Sequence, residues 1–128
     1  MVPPTPRKQT YGLRDYAAKV ASAGLVYCAH PIVEMAAPDD AHRCYTFIDD
    51  LCCRLRAGEC VLLHCRGGVG RAGLVAACML LRLGLAADSD AAIAEVRRRR
   101  CRTAVETCRQ EHFVRQYAAL LASAAAAL

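Results

Sequence analysis

The sequence predicts an α/β domain, a parallel sheet flanked by helices. Two short apolar runs, residues 25–29 and 60–64, read as fully buried strands, and amphipathic stretches alternate with them. Helices interleaved with strands apolar on both faces argue for a parallel sheet covered on both sides. Along the chain, Leu13, Tyr16, Ala17, Val20 and Ala21 keep helical spacing, with Gly24 as a stop. Residues 31–38 read as a loop. Ala41, Cys44, Tyr45, Ile48, Leu51, Cys52 and Leu55 then follow one helical face from Asp39 and Asp40 to Gly58. After the second strand, a helix runs to Leu83 and closes at Gly84. Asp88, Ser89 and Asp90 start another, through Ala92, Ile93 and Val96 into Arg97 to Arg100. The last helix carries Phe113, Val114, Tyr117, Leu120 and Leu121 on one side. Residues 1–10 read as a Pro-rich disordered lead, 11–121 as the domain and 122–128 as a fraying helical tail.

The chemistry concentrates at the end of the second strand. His64, Cys65, Arg66, Gly67, Gly68, Val69, Gly70 and Arg71 join that strand to a helix. A tight loop followed by a helix start turns backbone N–H groups onto one anion. Arg71 can fork onto two oxygens of a phosphate. The same positive surroundings favour the thiolate of Cys65, the nucleophilic form. Cys60 and Arg66 share the spacing, but Cys60 opens the strand, so the residues after it are extended and cannot wrap an anion. Cys65 is thus the expected nucleophile. Arg71 and the amides of Arg66, Gly67, Gly68, Val69 and Gly70 are expected to bind phosphate. His64 supports the loop. The scheme requires no metal and no cofactor.

Composition sets the limits. At 128 residues and 55% hydrophobic, the chain has room for one domain with a core. The net charge is +5, and 15 of the 17 basic residues are arginine, a balance that suits anionic substrates. Nine cysteines without zinc-like C-x2-C pairs fit a reducing compartment, cytoplasmic or nuclear. The N-terminus has no apolar core for a secretion signal, and no stretch approaches the ~20 apolar residues of a membrane span. Cys78, Cys52 and Cys53 lie on apolar helix faces as small core residues.

These residues resemble a known family. The loop is similar to the signature of cysteine-dependent protein tyrosine phosphatases, His-Cys-x5-Arg followed by Ser or Thr. The wider likeness is to the dual-specificity type, in particular that associated with cyclin-dependent kinase inhibitors. It runs from about Tyr11 to Tyr117. Gly24 to Ile32 resembles the strand and loop carrying the general acid, Leu74 to Leu81 the helix behind the phosphate loop, and Ala104 to Gln110 the entry to the last helix. The resemblance implies the cysteine-phosphatase fold and hydrolysis of phosphotyrosine, phosphoserine or phosphothreonine in proteins through a cysteinyl-phosphate. The partner is then a phosphoprotein, such as a kinase, with no nucleic acid involved. It also implies strands ahead of residue 11, so the sheet here is expected to lack its N-terminal strands unless a partner or a further segment completes it.

Two positions depart from the family pattern. The general acid of the resembled family is an aspartate after Pro-Ile-x, where this chain has Glu34; Asp39 and Asp40 are rivals, and no working acid is the remaining alternative. Ala72 stands where the family has a hydroxyl that helps sulfur leave, implying slower breakdown of the intermediate. Gln110 matches a glutamine that in relatives helps order water, though an exposed helix-start residue reads the same way. The run Arg97 to Arg100 with Arg102 reads as a solvated helix face, with one arginine implied to pack near the loop. These departures keep open a phosphoprotein-binding pseudophosphatase. Arg66 inside the loop keeps open a phosphoinositide phosphatase.

Overall fold

Helix starts are written in side chains. Asp15, Asp40 and Asp88 each accept the N–H of the residue three positions on, at 3.2, 3.0 and 2.8 Å. Each cap stabilises its helix by about 1 kcal/mol. The computed structural model describes residues 15–127. Among these are five helices: α1 Tyr16–Ser22, α2 Ala41–Arg56, α3 Arg71–Arg82, α4 Ser89–Arg99 and α5 Cys108–Ala126. The chain separates into two units, one ending at Pro31 and the other beginning at Ile32.

In the first unit, α1 buries no residue, and Tyr16 meets Tyr27 edge to face at 5.7 Å. Leu13 and the Pro-rich lead expected from the sequence lie outside the described residues.

The second unit is built around α3. Its residues Leu74, Val75, Ala77 and Cys78 are buried, and it packs against α2, α4 and α5. Helix α2 contributes Cys44, Ile48, Leu51 and Cys52, the stripe expected of one helical face. Ile93 and Val96 come from α4, and Phe113, Val114 and Tyr117 from α5. Tyr45 lies tilted over Phe113 and Tyr117, ring centres 5.8 and 5.0 Å away. Of the cysteines assigned to the core, Cys52 and Cys78 are buried but Cys53 is exposed. No helix among the described residues is long and apolar enough to cross a membrane.

The expected parallel sheet is not confirmed. No strand forms among the described residues; 25–29 and 60–64 run without regular structure. Nor are these runs buried: Leu25 is 62%, Val26 69% and Leu62 86% exposed. Two short runs have too few ladder partners to offset the entropy of ordering them, since even a two-stranded ribbon is marginal in water. The helices carry most of the core, joined by Ala104 and Val105 from the segment between α4 and α5.

Candidate active site

The loop between residues 64 and 71 is set by its two ends. Residues 60–64 deliver Cys65, and α3 begins at Arg71 with no side-chain cap on its first turn. Those uncapped N–H groups are left for an anion. Partial burial is the largest influence on the Cys65 thiol and pushes its pKa up, but backbone N–H groups of Ala72, Val69, Gly68 and Gly67 converge on the sulfur and hold it below the ordinary thiol value. His64 Nδ1 donates to the Cys65 carbonyl oxygen at 3.0 Å.

Glycine is required at two loop positions for different reasons. Gly68 has φ 67°, left-handed backbone, and a Cβ there would stand 3.3 Å from the Arg100 guanidinium. Gly70 has ordinary backbone but no room: a Cβ would collide with Glu106 Oε2 and lie 3.1 Å from both side-chain amide atoms of Gln110.

Two arginines of the basic run brace this region. Arg100 donates to the carbonyls of Gly67 and Gly68, both at 3.1 Å, and so holds carbonyls outward while N–H groups face the sulfur. Arg97 donates to the carbonyls of Ala104 and Val105 at 2.8 and 2.9 Å and pairs with Glu111 at 2.7 Å. The solvated reading holds for Arg98, Arg99 and Arg102, which are exposed, and the first two share Glu95. The helical register contained this signal, because Arg97 and Arg100 fall four and seven residues after buried Ile93.

The carboxylates separate cleanly. Glu34 pairs with Arg66 of the loop at 3.2 Å, so the turn at 33–36 is drawn to the neighbour of Cys65. Asp40 is committed to capping α2, while Asp39 is exposed. Arg71 donates to the Ile32 carbonyl at 3.1 Å, joining the loop to the same segment. A cavity of about 400 Å³, lined by Cys65, Arg66 and Arg100 on one side and Ala72, Ala76 and Val96 on another, adjoins the loop. The structure thus brings Cys65, Arg66, Arg71 and Glu34 together.

Gln110 is neither exposed nor at leisure to order water. It is fully buried, its Oε1 accepts the N–H groups of Glu106 and Thr107 at 2.8 and 3.3 Å, and its Nε2 donates to the Ala36 carbonyl at 3.1 Å. With Thr107 it forms a capping box that starts α5. Thr107 Oγ1 also donates to the Met35 carbonyl at 3.1 Å, so the start of α5 fixes the turn that carries Glu34.

Comparison with known proteins identifies the family. The sequence profile of the family described as cyclin-dependent kinase inhibitor 3 matches residues 9–93. The rat and human proteins named cyclin-dependent kinase inhibitor 3 are each 34% identical over 100 residues, covering 78% of this chain and 47% of each relative. The chain therefore spans about half the length of the curated relatives it matches. Among solved structures, a kinase-associated phosphatase whose catalytic cysteine was replaced by serine superposes with a TM-score of 0.80 at 28% identity, over 91% of this chain and 65% of that one. The profile match over residues 9–93, with a backbone shared with a kinase-associated phosphatase, places this chain in the cyclin-dependent kinase inhibitor 3 family.

Proposed function

We propose that this chain is a cysteine-dependent protein phosphatase acting on phosphotyrosine, phosphoserine or phosphothreonine. The observation that carries the reading is the convergence of four backbone N–H groups on the Cys65 sulfur. A cup that stabilises a thiolate stabilises the equatorial oxygens of a transferring phosphoryl group in the same way. Cys65 Sγ attacks phosphorus as the bond to the leaving oxygen breaks, and that oxygen takes a proton from Glu34. Arg71 turns from the Ile32 carbonyl to fork onto the phosphoryl oxygens. Water then cleaves the P–S bond and frees phosphate. The relatives' names, referring to a kinase inhibitor and to kinase association, support a phosphorylated kinase or similar phosphoprotein as substrate. Nine free cysteines support a reducing compartment, cytoplasmic or nuclear.

A small aryl phosphate tests the reading. Cys65→Ser is expected to lower turnover at least about a thousandfold, and Glu34→Gln by about a hundredfold. Equal rates for wild type and Cys65→Ser would end it. The Glu34–Arg66 pair and Ala72 favour one second reading, a phosphoprotein-binding pseudophosphatase; phosphopeptide binding without any released phosphate identifies it.

A further inference from the structure

The segment between α4 and α5 holds a carboxylate that the scheme above does not use. Val105 has φ 58°, left-handed backbone that a β-branched residue occupies only under strain. The surroundings hold it there. Its N–H donates to the Val69 carbonyl at 3.2 Å, and Arg97 grips the carbonyls on either side of its amide. Glu106, the next residue, has its own N–H fixed by Gln110 Oε1 at 2.8 Å. The strained joint therefore has a product: the Glu106 carboxylate lies against Gly70, inside the loop that begins at Cys65.

Its state differs from that of the other polar groups here. Glu34 is paired with Arg66, and Gln110 is buried with both ends of its amide engaged. Glu106 is exposed, and among the described residues no hydrogen bond or salt bridge occupies its carboxylate. A water-accessible carboxylate beside a phosphoryl cradle has one chemistry that fits.

We propose that Glu106 is the general base of the second half-reaction. This rests on the phosphatase reading and deepens it. A water molecule gives a proton to the Glu106 carboxylate while its oxygen bonds to phosphorus. The P–S bond breaks, and its electron pair returns to Cys65 Sγ as thiolate. Inorganic phosphate leaves, and Glu106 loses its proton to solvent. The same negative charge opposes the incoming dianion, so Glu106 favours turnover at the expense of substrate affinity.

The test is rapid-quench kinetics on an aryl phosphate with wild type, Glu106→Gln and Cys65→Ser, following released aryl alcohol and covalent phosphoenzyme. Glu106→Gln is expected to release one equivalent of alcohol per enzyme at the wild-type rate, which also counts folded sites. Its steady-state turnover falls at least tenfold, phosphoenzyme accumulates, and KM falls because a repelling charge is gone. Glu106→Asp, keeping the base on a shorter stem, recovers part of the turnover. Unchanged turnover in Glu106→Gln overturns the role of Glu106 alone, as does loss of the first equivalent together with turnover. A wild type no faster than Cys65→Ser overturns the phosphatase reading and this role with it.

Discussion

Cysteine 65 differs from its eight counterparts by what surrounds the sulfur. Burial pushes Cys44 up to about 12, raises Cys52 and drives Cys78 well above the ordinary thiol value, so these three stay protonated and inert. Cys65 is held low by four amides, and Cys101 is held low by the Thr103 hydroxyl, its Sγ 3.6 Å from Oγ1. A lowered thiol pKa means that the thiolate is already populated at lower pH. Alkylation of Cys65 should therefore rise with pH and level off before the ~8.5 of a free cysteine. At pH 6 we expect Cys65 and Cys101 to be modified several-fold faster than exposed Cys28, Cys53, Cys60 and Cys108. Inorganic phosphate should protect Cys65 and leave Cys101 unaffected. Peptide mapping by mass spectrometry reads both, and equal protection of the two sites would show that the anion does not enter the cup.

Between elements, the capping box of α5 does more than begin a helix. Thr107 Oγ1 accepts the Gln110 N–H in α5's first turn, Gln110 Oε1 accepts the N–H groups of Glu106 and Thr107 just before it, and both side chains hold the Met35–Ala36 turn. Gln110→Ala leaves buried backbone donors and the Ala36 carbonyl without partners, at a cost of about 1–3 kcal/mol. A thermal melt should show the loss, and turnover should fall with it because Glu34 and Glu106 are both positioned through this side chain. A melt that moves without any change in turnover would mean the box is structural only. The same elements show what sequence can and cannot reveal. Helices α2 to α5 were legible because their apolar residues recur at 3.6-residue spacing and Asp40 and Asp88 mark two starts. The loop from Cys65 to Arg71 stood out because glycines between a cysteine and an arginine have few other uses. Glu106 was not legible. Its placement depends on positive φ at Val105, which no composition or period announces, and on two arginines hidden in a run of four.

At the scale of the whole chain, the apolar runs fit a sheet that the described residues do not form. Each unit exposes part of its run, Leu25 and Val26 in the first and Leu62 in the second, while Val61 and Leu63 pack against the core. Among the described residues, no backbone hydrogen bond is made by residues 60–63. An unpaired stretch reading Cys60-Val61-Leu62-Leu63 offers donors, acceptors and apolar side chains to any similar stretch. Self-association should therefore grow with concentration and centre on this run. Leu62 is the position to change, since its side chain is 86% exposed and its replacement disturbs no core contact. Leu62→Lys puts a charge where a second strand would pair, and its effect on stability should stay within about 0.5 kcal/mol, as for other surface substitutions. Light scattering across a concentration series is expected to show less association for Leu62→Lys than for the wild type, at an unchanged melting temperature. Equal association in both would move the sticky surface away from residues 60–63. A lowered melting temperature would mean that Leu62 is buried in solution, which is how a strand with neighbours on both sides behaves.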